Sequence, residues 1–437
     1  MLIAAIILAA GLAFGYQPHT SLLERTFTVD SPGSETVASI NASCARCDWG
    51  IEGREAAAVR ILVDGKYSQH VLLYRGAADS EYRVSLGTLM AGPHALRIEA
   101  DPSLSARGAG PPVISGASVN SASRPEDRLR QAFAPILYAR PNTVGRFTDL
   151  PVLMWDEVVP TSRGRQFRYS VIFTNEDGGT ATDRLMATWG RTTDIEYVYG
   201  VEVDDRGNVL AEEFQGPGHE VPPFRGRHEG THPLLWVSTD NNMVSESGPT
   251  EIRYAPAPAP VDLTNVSREE VMDRNPWTYT VAAKEMVREG KIVDDAAPGS
   301  GHIPDLRRFV YVEACTELSN AAVAFSVRAR DASGSVAWFD SDRGLPAFRI
   351  VRTGCFRGAV PLPPGAGQPD AIRFRAYTPP PKPDAPPPPP GSVRLLRVNR
   401  VFTVDDQYQP TLSLFSWTGS VALAMEGEWK ELTFPGP

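Results

Sequence analysis

The chain holds 437 residues, 42% hydrophobic and 22% charged, with 39 Pro, 37 Gly and a formal net charge of −9. That length exceeds one ordinary core and sets an expectation of roughly two to four domains. The acidic balance excludes a nucleic-acid binder, which needs a basic stripe to displace counterions from phosphates.

Residues 1–15, from Met1 to Gly15, form an apolar run that reads as the core of a signal peptide. Small residues at Ala13 and Gly15 suit cleavage before Tyr16. No Lys or Arg precedes the run, so retention as a membrane anchor is the alternative, although fifteen residues are short for a span. The expected location is secreted, periplasmic or at the cell surface. No later segment is long and apolar enough to cross a bilayer, so no transmembrane span is expected once the leader is removed. Cysteines in an exported chain read as disulfides. Spacing pairs Cys44 with Cys47 and Cys315 with Cys355. Neither a helix start nor a thioredoxin-like pattern surrounds Cys44-Ala45-Arg46-Cys47, which argues against redox chemistry.

Residues 20–118 predict an antiparallel β-sandwich, immunoglobulin-like or jelly-roll-like. Val59-Arg60-Ile61-Leu62-Val63 alternates, Asp64-Gly65 turns, and His70-Val71-Leu72-Leu73-Tyr74 returns. This part resembles the accessory sandwich modules at the front of secreted bacterial proteins, carbohydrate-binding ones among them. Trp49, Tyr67, Tyr74 and Tyr82 are first read as core or cross-strand partners, and second as sugar-stacking platforms. Residues 105–124, rich in Gly, Ser and Pro, read as a linker. Arg124-Pro125-Glu126-Asp127 then starts a helix with proline in its first turn, and Leu129, Phe133 and Ile136 give it an apolar stripe.

A central sandwich is expected over residues 125–255. Phe133-Ala134-Pro135-Ile136-Leu137-Tyr138-Ala139-Arg140-Pro141 resembles the opening of Vps62-like domains. Those domains continue with an aromatic strand, an acidic-aromatic strand, a loop and a His-Pro-apolar-apolar-Tyr/Trp-Val run. Gln166–Asn175, Thr193-Asp194-Ile195-Glu196 and His232-Pro233-Leu234-Leu235-Trp236-Val237 stand in those places. The chain departs from the pattern at Ile195, where the family has Trp, and at Asp240-Asn241-Asn242, where it tends to carry His. The resemblance implies a β-sandwich. Through the related necrosis-inducing proteins it also implies a cation site, to which Asp194 and Glu196 correspond.

Residues 249–260 read as a second linker. A helical segment over 261–292 opens on the capping-box pattern Ser267-Arg268-Glu269-Glu270, breaks before Pro276, resumes at Trp277 and stops at Gly290. Residues 306–378 predict a C-terminal sandwich, with one strand at Phe348-Arg349-Ile350-Val351. Asp340-Ser341-Asp342-Arg343-Gly344 reads as a plain turn, since it lacks the further ligands of a calcium loop. A proline-rich linker spans 379–392. The strands of 393–434 are too few for a core of their own and are expected to pair with an existing sandwich. The predicted fold is therefore mainly β: multi-domain, antiparallel β-sandwiches with one or two short helices.

Candidate chemistry lies between Phe167 and Met243. His228-Glu229-Gly230-Thr231-His232 matches the H-E-x-x-H string of zinc proteases, which requires a helix to place both imidazoles on one face. Gly230 within it, and Pro233 directly after His232, deny that helix. On a strand, Asp194 and Glu196 share a face, opposite Ile195, Tyr197 and Tyr199. With the aromatics inward, the carboxylates would be plain solvent-facing charge. The functional alternative folds the histidine loop back over them. Asp194, Glu196, His219, His228 and His232 then form a metal site for calcium or zinc, with Asp194, Glu196 and His228 as catalytic candidates. Asp204 and Asp205 read as a hairpin turn without chemistry. Two functions follow: a secreted, multi-domain protein binding glycan or cell-envelope polysaccharide, or a cation-dependent hydrolase of glycan or ester substrates.

Overall fold

Hydrogen-bonded pairing organises the first unit into two facing sheets. One runs Thr20–Val29, Gly92–Asp101, Ala58–Val63, Lys66–Leu72; the other runs Ser80–Leu89, Ser34–Ser43, Val113–Ser121. These positions belong to a computed structural model that describes residues 19–379 and 389–435. The apolar leader and most of the proline tract lie outside the described residues. Every strand pair of this unit is antiparallel. Alternate residues meet between the sheets, with Ala38, Ile40 and Ala42 packed with Val59, Ile61 and Ile98. Asp64 and Gly65 both take positive φ, 49° and 76°, as the two-residue hairpin turn requires. The linker expected at 105–124 is corrected: Val113–Ser121 is a strand of the second sheet, so the sandwich continues to Ser121. Trp49, Tyr74 and Tyr82 are buried core residues, whereas Tyr67 is exposed.

The central unit is again two sheets. Val209–Phe214, Asp194–Val203, Gly164–Phe173 and Pro151–Thr161 form a meander, with Ala259–Pro260 added at its edge. The second sheet orders His228–Glu229, His232–Val237, Ile136–Tyr138 and Arg253–Tyr254. Phe167, Tyr169, Val171 and Phe173 of the first sheet pack against Leu137, Leu235 and Val237 of the second. Residues 249–260 are not a free linker. Ser85 donates its backbone N–H to Ala255, and Ala257 donates to Arg83, which sews this stretch to the first sandwich.

Five short helices punctuate the described chain, where the sequence predicts one or two. Pro125–Ala132 starts where proline stands. Trp277–Arg288 ends before Gly290, whose φ is +67°. The predicted capping box does not form: the Ser267 hydroxyl donates to Glu313 Oε2 at 3.0 Å instead of capping Glu270–Arg274.

The C-terminal unit orders Gly354–Pro361, Phe309–Ser319, Ser392–Phe402 and Phe415–Trp417 in one sheet, and Val336–Asp340, Ala322–Arg330, Ala371–Tyr377 and Lys430–Thr433 in the other. The last strands thus complete this sandwich. Residues 348–351 are corrected: Pro346–Phe348 is a 3-10 turn, and Ile350 makes a single bridge to Val323. Both disulfides, Cys44–Cys47 and Cys315–Cys355, are formed.

The central and C-terminal sandwiches keep cores of their own, and the core of the first extends through the helical segment to the outer faces of both, at Ile172 and Ile195 and at Tyr311 and Phe402. Trp49 donates to Glu285 at 2.8 Å, and Arg288 donates to the carbonyls of Trp49 and Phe147 at 2.9 and 2.6 Å. On the other side, fully buried Arg357 holds Asp273 at 2.7 Å and Glu313 at 2.6 Å. Among the described residues, no helix is long and apolar enough to cross a membrane.

Candidate functional site

The strand Asp194–Val203 sets the site through one irregularity. Tyr169 faces Tyr199 and Ser170 faces Tyr197, so Val198 has no opposite number: a β-bulge. A one-residue slip exchanges the faces of everything before it. Glu196 therefore pairs with Val171, and Asp194 with Phe173, both of which point into the central core. Tyr197 turns outward instead, donating to Glu213 at 2.8 Å beneath the Arg168 guanidinium. The division of Asp194 and Glu196 from an inward Tyr197 is corrected on this ground. The carboxylates are not solvent-facing charge, and Asp194 is 1% exposed.

The connection between Phe173 and Asp194 supplies the opposite wall. Gly178 and Gly179 let it close on Asp240 and Asn241. A Cβ on Gly179, at φ +96°, would lie 2.5 Å from Glu176 Oε1. The helix Thr182–Trp189 follows, ended by Gly190 at φ +59°. Between these walls lies a cavity of about 380 Å³, into which Glu176, Asp194, Glu196, His219, Arg191 and Arg268 converge, with Trp189 at the side.

Most of these polar groups have a defined partner. Asn242 donates to Asp194 Oδ2 at 3.0 Å, and Gln215 donates to Glu196 Oε2 at 3.0 Å. Glu176 Oε1 accepts the Thr180 N–H at 2.7 Å. His219 Nδ1 lies 3.0 Å from Gln215 Nε2, and its Nε2 lies 3.3 Å from Asn241. Arg191 is shared, 3.7 Å from Asp194 and 3.3 Å from Glu269. Three carboxylates thus face one shared arginine and Arg268. Burial, with the Asp194 charge adding to it, pushes Glu196 up to about 8 and Glu176 up to about 7. Burial raises Asp194 as well, against the opposing pull of Arg191 and Asn242.

The other two histidines lie elsewhere. His228 Nε2 sits 2.7 Å from Glu212 Oε1, with its ring edge-on to Phe224. His232 is buried at the junction with the first sandwich, its Nδ1 2.9 Å from the Ala134 carbonyl and its Nε2 3.1 Å from Glu35 Oε2. The expected five-residue cluster is corrected to Asp194, Glu196 and His219, joined by Glu176; His228 and His232 do not line the cavity. The H-E-x-x-H string is no helix. His228–Glu229 is a strand, Gly230 turns at φ +63°, and Glu229 pairs with Arg253 at 2.6 Å. Sequence reasoning missed Glu176, Arg191 and Arg268. The polar run Asn175-Glu176-Asp177-Gly178-Gly179 was legible as a turn, and nothing local showed that it closes over an acidic strand.

Fold and site together define a mainly β, multi-sandwich protein with an acidic, polar cavity in its central unit. No family model and no curated protein matches the chain. Sugar-binding proteins stand among its weak structural neighbours. It is similar to the EclA C-terminal domain, a sugar-binding protein, at 21% identity over 23% of this chain and 68% of that one, TM-score 0.18. It is also similar to NLPPya in complex with mannosamine, at 10% identity over 42% of this chain and 88% of that one, TM-score 0.23. At such scores the likeness adds no weight to a functional argument.

Proposed function

We propose that the protein is exported and binds glycan or cell-envelope polysaccharide through the central cavity, with a hard divalent cation held there. One observation carries this reading. Glu176, Asp194 and Glu196 gather in an open polar cavity with too few cations to balance them. By type the donors suit such an ion: carboxylate oxygens predominate and only one imidazole, that of His219, is within the site, which favours calcium over zinc. The carboxylate oxygens do not all lie within 4.8 Å of one another, so the side chains would have to draw together around it. Glu176, Asp194 and Glu196 would hold it. When bound, the ion would offer open coordination positions to vicinal sugar hydroxyls, while Gln215, Asn241 and Arg268 stand ready to hydrogen-bond the ring. The two disulfides support an oxidising compartment. We also read the central unit as Vps62-like, on the residue pattern from Phe133 to Val237.

The test is binding to a panel of polysaccharides with calcium and with EDTA, for the native protein, Asp194→Asn and Glu196→Gln. Calcium-dependent binding lost in both variants is expected. Silence across the panel in the presence of calcium removes the reading.

A hydrolase is the second reading, favoured by the elevated Glu196 and Glu176. A carboxyl that keeps its proton near pH 7 is what the general acid of glycoside hydrolysis requires. His228, bound to Glu212 away from the cavity, has no part in it. Release of reducing ends from the same polysaccharides, abolished by Glu196→Gln, would support it.

A further inference from the structure

A second cavity, of about 210 Å³, lies where the first sandwich, the central sheet and the helix Trp277–Arg288 meet. Its wall is aromatic. The rings of Tyr74 and Trp277 lie 5.6 Å apart at 35°, and Tyr82 meets Tyr74 edge-on at 5.3 Å. Tyr254, 4% exposed, also lines it. Arg75 lies over the Trp277 ring at 5.2 Å.

Most polar groups of this wall are engaged, the Tyr74 and Tyr82 hydroxyls and the Gln69 amide among them; three are not. The Tyr254 hydroxyl and the Trp277 indole N–H have no hydrogen-bond partner among the described residues, and neither is among the fully buried unpartnered atoms, so both are open to solvent. Asn275 donates its amide to the Val271 carbonyl at 2.9 Å, and its Oδ1 likewise has no partner among the described residues. Two donors and an acceptor therefore stand beside the half-buried Trp277 ring, part of which Arg75 covers, and the buried edges of Tyr74, Tyr82 and Tyr254. A purely apolar guest would leave them unmet, which buried polar groups do not tolerate cheaply. A simple anion is not selected either, since Glu81 lines the cavity together with Arg75 and Arg83. A pyranose ring satisfies both requirements: its C–H face stacks on Trp or Tyr, and its hydroxyls meet the edge groups. Cavities between units, lined by aromatics with a few convergent polar groups, are where small ligands settle.

We infer that this junction cavity is a second saccharide subsite, taking one neutral pyranose ring without a metal ion. The inference rests on the glycan reading of the central cavity but uses none of its residues. A ring held here touches the first sandwich, the central unit and the helix at once, so the subsite takes part of the chain that the acidic cavity does not reach.

The experiment is ligand-observed NMR with intrinsic tryptophan fluorescence on the full chain in EDTA. The probes are methyl β-glucoside, methyl α-mannoside, N-acetylglucosamine and, as an apolar control, benzyl alcohol. Binding of at least one sugar is expected in EDTA and in Glu196→Gln. Tyr254→Phe and Trp277→Phe should each weaken it about fivefold or more. Tyr254→Phe removes only an unpartnered hydroxyl, so its unfolding midpoint should not move, whereas Trp277→Phe also loses packing against Tyr74 and Arg75 and should lower its midpoint slightly. No sugar binding in EDTA, binding indifferent to both substitutions, or binding of benzyl alcohol alone would each overturn the inference. Failure of the central reading shows differently, as polysaccharide binding unaffected by EDTA and by Glu196→Gln.

Discussion

Neutralising Glu196 should stabilise the cation-free protein while abolishing the calcium-dependent polysaccharide binding of the central cavity. Glu196 lies on the inward face of its strand, and burial together with Asp194 raises it to about 8 from an ordinary 4.5. For an acid raised in this way the sign is unfavourable. Below pH 4.5 both folded and unfolded chains carry the proton and nothing is lost. Between 4.5 and 8 the unfolded chain ionises and the folded one resists, so stability falls as pH rises. Each unit is worth ~1.4 kcal/mol, which puts the cost at pH 7 near ~3 kcal/mol. Glu196→Gln keeps the shape and can still meet the Gln215 amide through its carbonyl oxygen. A gain of ~1–3 kcal/mol in urea unfolding at pH 7 in EDTA is expected, shrinking toward zero at pH 4. Adding calcium should raise the native midpoint and leave that of the variant unmoved. A variant that is less stable than the native chain in EDTA would refute the reasoning, because the carboxylate would then be a structural partner.

Three further outcomes follow from the same contacts. His232 points one ring nitrogen at a carbonyl and the other at Glu35, so both must donate and the imidazolium is favoured. Burial pulls its pKa down, but the Glu35 hydrogen bond and charge, with a smaller share from Glu229, raise it overall. This contribution is full below the unfolded value and is lost as pH rises through the folded one. His232→Gln should therefore cost most at pH 6 and progressively less toward pH 9, read as melting temperature against pH. Arg357→Met leaves buried Glu313 without its guanidinium and Asp273 with Arg400 alone, and should cost about 3–5 kcal/mol in chemical unfolding. A loss under about 1 kcal/mol would show that the helical segment is not clamped there. Replacing Cys315 and Cys355 by Ser opens a loop with a sequence separation of 40 and should cost ~4 kcal/mol under non-reducing conditions.

Local features were legible in the residues alone. Alternation at Val59–Val63, the turn at Asp64-Gly65, helix starts at Pro125 and Trp277, and the stop at Gly290 are set by periods and turn chemistry within a few residues. The non-helical setting of His228–His232 was legible for the same reason, since Gly230 and Pro233 act on their own neighbourhood. Partner choice is a different matter. His232 meets Glu35 across 197 residues, and Arg357 meets Glu269, Asp273, Tyr279 and Glu313 from three separate elements. Which way Asp194 and Glu196 face is set by strand pairing. The bulge at Val198 depends on how the neighbouring strand pairs, and one unpaired residue exchanges the two sides of everything that precedes it. A string of residues carries its own periodicity but not the register of the strand beside it. For that reason the acidic pair could be found in the sequence, while the cavity it lines could not.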